Sequence, residues 1–242
     1  MLKCVIWYED KPGKTLLRMH RIATWLAAVV TALTASSAIA QSEERNLVTE
    51  ATVTLVNFLG DPDMTWLQGH FKDARAVLIA PQVAKAGFIL GGSGGRAVVV
   101  ARDMRTGHWV GPAFYTLATA SIGFQAGISV SEVVTLVMTE KGLNTLLSDS
   151  VRLGGDAAVA AGPIGAGAQS NLTADFVSFA RATGVYGGLN FDGTIVTTSD
   201  DWNDAYYGRS VRPADILVRE SVHNKQASEL LNVVAKAAGK QP

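Results

Sequence analysis

The sequence predicts an α+β fold: a glycine-rich, mainly antiparallel curved sheet or partial barrel, packed with N- and C-terminal helices. The residues alone also leave a β-rich alternative open. Twenty of the 24 glycines lie between Gly87 and Gly208, threaded through apolar, β-branched and aromatic residues. Glycine costs backbone entropy and packs nothing, so this density inside strand-like sequence calls for tight hairpins, bulges or close backbone approach. The longest helical spacings stand outside that stretch, at 43–60 and 221–238.

Residues 43–60 place Leu47, Val48, Ala51, Leu55, Phe58 and Leu59 on one helical face, with Val53 and Val56 outside it. Gly60-Asp61-Pro62 stops that helix, and a short one carrying Met64, Trp66, Leu67 and Phe71 follows. Ala76–Ala80 reads as a buried strand ended by Pro81. Phe88–Leu90 leads into a glycine turn at 91–95, and Arg96–Arg102 returns as a strand. Asp103–Gly107 is a hairpin turn, and Phe114–Val137 is largely strand with breaks at Gly123 and Gly127. Thr139 caps a short helix over 142–147. Val151–Ala160, Phe176–Ala182 and Val185–Thr198 read as strands, the last broken at Asp192-Gly193. One or two helical turns span Asp200–Tyr207, and Leu230, Leu231, Val233 and Val234 supply the apolar side of the C-terminal helix.

The N-terminus reads as a targeting segment. Arg18, His20 and Arg21 precede an apolar run from Ile22 to Leu33, and Ala38-Ile39-Ala40 forms an A-x-A cleavage pattern. The run is shorter than the roughly 20 residues a spanning helix needs. The expectation is an extension plus signal peptide over 1–40, with Met1 to Leu17 lying ahead of a start at Met19 and cleavage after Ala40, followed by a single domain over 41–242. Residues 1–40 hold five basic and two acidic residues, which leaves 16 basic against 19 acidic in the mature chain. A mildly acidic exported domain is a poor non-specific nucleic-acid binder, so no nucleic-acid partner is expected. The single cysteine, Cys4, falls in the removed segment, so no disulfide is expected. The expected location is periplasmic or secreted, at most peripheral to a membrane.

Catalytic signatures are missing. The glycines at 91–95 continue into Ala97-Val98-Val99-Val100, not a helix, and no G-K-[ST] follows, so they do not cradle phosphate. His70, His108 and His223 are isolated, with no metal-ligand spacing. Asp200-Asp201-Trp202-Asn203-Asp204 resembles a calcium loop only at its start; the glycine and glutamate an EF-hand needs are replaced by Tyr206 and Arg212. That run reads as a polar helix start, with a weak divalent-ion site as its alternative. No metal or cofactor and no enzymatic activity are expected. An unfamiliar site built on His108, Tyr115, Glu132 or Asp156 is the remaining enzymatic alternative. A small outer-membrane barrel fits the charged C-terminal helix poorly.

Several blocks recur in one order: Gly87-Phe88 before Gly91-Gly92-Ser93-Gly94-Gly95-Arg96; Pro112-Ala113-Phe114-Tyr115; Ser121-Ile122-Gly123-Phe124-Gln125; Glu140-Lys141-Gly142; Ala161-Gly162-Pro163; and Tyr206-Tyr207-Gly208. In order and spacing they resemble the SYLF (Ysc84-like) family of lipid-binding domains, over roughly Leu47 to Leu217. The resemblance implies a non-catalytic domain. Eukaryotic members bind phosphoinositides, are linked to actin and membrane remodelling, and often sit beside SH3 or FYVE modules; bacterial members are single domains behind an export signal. The stretch 43–60 offers only Arg45 against Glu43, Glu44 and Glu50, so its apolar face is expected to pack on the protein's own sheet and not on anionic headgroups.

A lipid headgroup needs cations. Arg96 and Arg102 flank one strand at an even separation and so project from one face; Arg105 follows in the next turn. With Lys85 they form the candidate lipid-binding set, to which Trp109 and Tyr115 are added as aromatic members. The expected partner is a lipid or membrane surface with an anionic-phospholipid or phosphoinositide-like headgroup. The alternative is an envelope structural or protein-interaction module with an envelope protein partner. Actin is not expected for an exported, bacterial-looking chain.

Overall fold

A computed structural model describes residues 43–87, 90–122, 127–165, 173–182, 185–186 and 192–239, all within one unit, Glu43–Pro242. The expectations for 1–40 lie outside the described residues, as do Gly123 and the aromatics Phe88 and Phe124. The described strands are β1 (Ala76–Gly87), β2 (Leu90–Arg102), β3 (Trp109–Ile122), β4 (Gly127–Val137), β5 (Ser150–Arg152), β6 (Val159–Ala161), β7 (Phe176–Ala182), β8 (Val185–Tyr186) and β9 (Ile195–Thr198). The helices are α1 (43–60), α2 (Thr65–His70), α3 (Glu140–Leu146), α4 (Asp200–Tyr207), α5 (Pro213–Leu217) and α6 (Ser228–Ala237). No helix among the described residues is long and apolar enough to cross a membrane.

The strands form one sheet in the order β5-β9-β3-β2-β1-β4-β7-β6, with β8 paired to β7. It is curled into a half-barrel, and among the described strands only β6 and β7 run parallel. The α+β class and the curved sheet agree with the sequence expectation. The pairing explains why the central strands are continuous apolar runs: both of their faces are covered. Val77, Ile79, Val98, Val100, Phe114, Val134 and Leu136 pack with Leu55 and Phe58 of α1, Leu67 of α2, Tyr206 of α4 and Leu230 of α6. On the other face Leu78, Val99, Tyr115, Val133 and Val137 pack with Leu146 of α3 and Ile216 and Leu217 of α5. Each fully buried aliphatic or aromatic side chain contributes about 1.5–3 kcal/mol.

Helix α1 buries Val48, Ala51, Leu55 and Phe58 on the sheet, as its apolar spacing predicts. Thr139 caps α3 by accepting from the Gly142 N–H at 3.0 Å. Gly208 ends α4 in the left-handed region, at φ 68°.

Four expectations need correction. First, β1 does not end at Pro81 but continues to Gly87. Pro81 lies in the register shift between Ile79 and Gln82, and Pro112 lies in the matching irregularity of β3, so each proline sits where the ladder skips a donor. Second, Gly91–Gly95 is not a turn. These residues are the first half of β2, paired on both sides. Gly95 is required there because a Cβ would stand 2.2 Å from the Gln82 carbonyl oxygen at the bulge. Third, 151–160 is not one strand; a turn through Gly154, at φ 82°, separates β5 from β6. Fourth, α5 was not anticipated, although Pro213 at its first position is an ordinary helix-start signal, and the C-terminal helix begins at Ser228 and not at Ser221.

Candidate functional site

The six candidate residues do not form one patch. Arg96 and Arg102 do share a face, because Val98 and Val100 between them point to the α1 side. However, six strand residues span about 20 Å, and both intervening valines are fully buried. The Arg96 guanidinium stacks on Trp202 of α4, 3.9 Å from the ring centroid. Arg102 donates to the Lys72 carbonyl at 2.9 Å, which ties β2 to the turn after α2. Arg105 is exposed and pairs with Asp103 in the hairpin turn at 3.6 Å. Trp109 is buried against Phe71. Tyr115 is also buried: its hydroxyl donates to the Leu146 carbonyl at 2.6 Å, and burial pushes its pKa up.

Lys85 opposes Ser93 and Ser129, on the face that carries Val83. Gln82 opposes Arg96, on the other face. Lys85 and Arg96 therefore project from opposite sides of the same sheet.

That division defines a surface which the sequence reading did not assemble. Beyond the row of Gln82 and Arg96, strands β1 to β4 run past the helices. On the α1 side this end carries Ala84 and Ala86, Gly92 and Gly94, Ala118 and Ala120, Val130, and Ile195 from β9, which registers with Ala118. The four alanines are exposed, and Val130 and Ile195 are 48% and 38% exposed. The reverse side of the same strands carries Lys85, Ser93, Thr119 and Ser129; Thr119 bonds Thr194 through their hydroxyls at 2.8 Å. Residues 84–86, 91–96, 116–120 and 129–131 include two cations, Lys85 and Arg96, and no carboxylate. The sheet end is thus two-sided: one face apolar and nearly flat, the other hydroxylated. From strand spacings the apolar face measures about 13 by 19 Å.

The signal for it was period-2 alternation, in Ala84-Lys85-Ala86, Gly92-Ser93-Gly94, Ala118-Thr119-Ala120 and Ser129-Val130-Ser131. Reading 91–95 as a turn hid the second of these and broke the pattern.

Helix α1 borders the surface. Gln82 donates to Glu50 at 3.3 Å, and Thr54 donates to Glu132 at 3.1 Å. At the start of α1, burial raises the pKa of the Glu44 carboxyl, against the pull of nearby Arg96 and Arg45. The alternative catalytic set does not come together: His108 and Asp156 are exposed, Tyr115 is in the core, and Glu132 is paired with Arg181. The acidic run of α4 also disperses. Asp201 is exposed, Asn203 is buried accepting from the Phe114 N–H at 2.9 Å, and Asp204 accepts from the Val211 N–H at 2.9 Å. Among the described residues no cluster of ligating side chains is placed to hold a metal.

The pattern of the Ysc84 family, described as "Las17-binding protein actin regulator", matches residues 118–237, from the exposed end of β3 through α6. The chain belongs to the Ysc84 (SYLF) family. It is 28% identical over 157 residues to SH3 domain-containing YSC84-like protein 1 of Homo sapiens, covering 63% of this chain and 46% of that protein. To Protein YSC84 of Saccharomyces cerevisiae it is 26% identical over 163 residues, covering 64% and 35%. LAS seventeen-binding protein 3 of the same species is 27% identical over 133 residues, covering 52% and 29%. The chain thus spans less than half the length of these relatives. No solved structure matches it. The Ysc84 family description and the name of the third relative concern Las17, a protein partner, and actin regulation. The expectation against actin finds no support in them.

Proposed function

We propose that this Ysc84-family domain is a non-catalytic binding module that presents the two-sided end of its sheet to an anionic lipid surface. One observation carries the reading: an exposed apolar sheet face, backed by hydroxyls, with Arg96 at its border and Lys85 on its reverse side. A surface with one apolar and one polar side suits an interface that is itself apolar on one side and polar on the other. The face covers about 250 Å² by strand spacing, well below the ~800 Å² per partner that a stable protein complex buries. In this reading Ala84, Ala86, Ala118, Ala120, Val130 and Ile195 meet the acyl boundary, while the guanidinium and ammonium groups meet phosphate. The finer expectation of export belongs to the same proposal, and the mature chain then begins at Gln41.

Co-sedimentation with vesicles of phosphatidylcholine, with and without phosphatidylglycerol, tests the reading. Recovery with the anionic vesicles is expected, and Val130→Asp is expected to abolish it without loss of thermal stability. Equal recovery in the supernatant for all compositions overturns it. Mass spectrometry of the protein from its own cells tests cleavage after Ala40.

A second reading follows from the Las17 and actin terms of the family description. Here the domain contributes to a protein assembly, with the same sheet end as one part of a larger contact. Pull-down of a protein partner that Val130→Asp disrupts, with no vesicle binding, favours it.

A further inference from the structure

We propose that a groove between α1 and α6 binds a single-chain amphiphile with a carboxylate head, of the kind represented by a fatty acid anion. The inference is independent of the sheet-end reading and rests on different residues. Helix α1 buries one apolar stripe on the sheet, yet carries a second: Val53 and Val56 are 54% and 49% exposed, and Leu59 continues the line three residues on. Helix α6 repeats the arrangement. Leu230 and Val234 are buried beneath it, while Val233 and Ala237, four residues apart, are only half-buried. The two second stripes face a common groove of about 500 Å³, lined by Val56, Leu59, Val233 and Ala237, with Gln68 and Lys236 among its polar members. Small-molecule sites typically occupy about 300–1,000 Å³.

The polar groups select the occupant. The Gln68 amide nitrogen already donates to the Leu59 and Asp61 carbonyls, at 3.1 and 2.7 Å, closing the α1 end of the groove. Among the described residues Lys236 is the one ionisable side chain on the lining. An apolar trough with a single cation at its margin complements one apolar chain with one anionic head. Larger occupants fit worse. Two turns of α-helix, about 11 Å across, fill roughly 1,000 Å³ and would stand mostly outside. A second copy of the chain needs roughly 20–30 residues per side, against the handful that line this groove.

Equilibrium dialysis of the purified protein with dodecanoate, dodecanol and dodecylamine, below their aggregation concentrations and without vesicles, tests the proposal. Saturable binding of one dodecanoate per chain is expected, with dodecanol weaker and dodecylamine weakest. Lys236→Gln should weaken dodecanoate about tenfold, the loss of one charge-assisted contact. Val233→Asp should remove saturable binding, while Val130→Asp at the sheet end leaves it unchanged. Positions 233 and 236 both reach solvent, and unchanged circular dichroism and melting temperature verify that the variants fold. Absence of saturable binding, equal binding of all three probes, or wild-type binding by both groove variants overturns the proposal. So does a concentration-dependent dimer that Val233→Asp dissolves, since it would show that the groove serves self-association.

Discussion

Arg181 on β7 donates through both Nε and Nη2 to one carboxylate oxygen of Glu132 on the adjacent strand β4, directly beneath α1. The pair is more than a cross-strand bridge. The other Glu132 oxygen accepts from Thr54 of α1, the Arg181 guanidinium lies 5.3 Å from the Phe58 ring centroid, and Asp61 after α1 approaches it at 4.0 Å. A helix that contacts the sheet mainly through smooth apolar side chains is thereby held at one position along it.

Removing one partner leaves the other charge partly buried. Glu132→Gln is expected to lower unfolding free energy by about 2 kcal/mol, less than the ~3–5 kcal/mol of a fully buried pair. Arg181→Met should cost less than Arg181→Ala, because its chain still covers Phe58. Urea unfolding measures both effects. Hydrogen exchange should show the added opening concentrated in 50–60.

Asp175 is expected to contribute to the acid limb of stability. It is buried, accepts from Thr139 Oγ1 at 2.5 Å and the Ala158 N–H at 2.9 Å, and pairs with Lys141 at 3.3 Å. The Thr139 hydrogen bond is the largest influence, and together these contacts hold its pKa below the usual carboxylate range. A depressed folded-state pKa adds stability that is fully present above the unfolded value, about 3.9, and is lost as pH falls through the folded value. Asp175→Asn should therefore cost about 2 kcal/mol at pH 7 and flatten the decline below pH 4. Thermal melts from pH 2 to 7 check the sign.

Two glycines should respond in opposite ways to alanine. At Gly95 a Cβ would meet backbone that cannot yield, 2.2 Å from the Gln82 oxygen. Gly95→Ala is expected to cost at least about 2 kcal/mol or to prevent folding. At Gly60 nothing lies within 4 Å of the added Cβ, and Gly60→Ala should be neutral or stabilise by up to about 1 kcal/mol. Melting temperatures of the two variants test the contrast.

The two arginines of β2 should separate binding from stability. Arg96 stands at the border of the exposed sheet end, and Arg102 is bonded to the Lys72 carbonyl. Arg96→Glu should sharply reduce recovery with anionic vesicles, beyond the roughly 1 kcal/mol of stability lost with the Trp202 stack. Arg102→Gln should leave recovery intact and cost about 1 kcal/mol. Reversed outcomes would move the binding surface to the hairpin end of the sheet.

Much of the architecture was written in local pattern. The apolar spacing of α1, the Thr139 cap, the helical turns of Asp200–Tyr207 and the Asp103–Gly107 turn each depend on neighbours within a few residues, and each stands where the sequence puts it. What local pattern could not supply is which element lands on which face. Pro81 looked like a strand end because the bulge that accommodates it exists only once β2 and β4 are alongside. Gly91–Gly95 looked like a turn because glycine in a strand is uninformative until the approaching backbone of Gln82 is known. Trp109 and Tyr115 looked available because an aromatic side chain carries no mark of the helix or strand that will cover it.

The same limit explains the candidate sites. By itself the sequence determined the alternation that makes one side of the sheet end apolar and the other hydroxylated, and the double apolar stripes of α1 and α6. Only the tertiary structure decided that the helices stop at the Gln82–Arg96 row, and that the two spare stripes face one groove. Periodicity states which side of an element is apolar; whether that side is buried or left open depends on contacts between residues far apart in the chain.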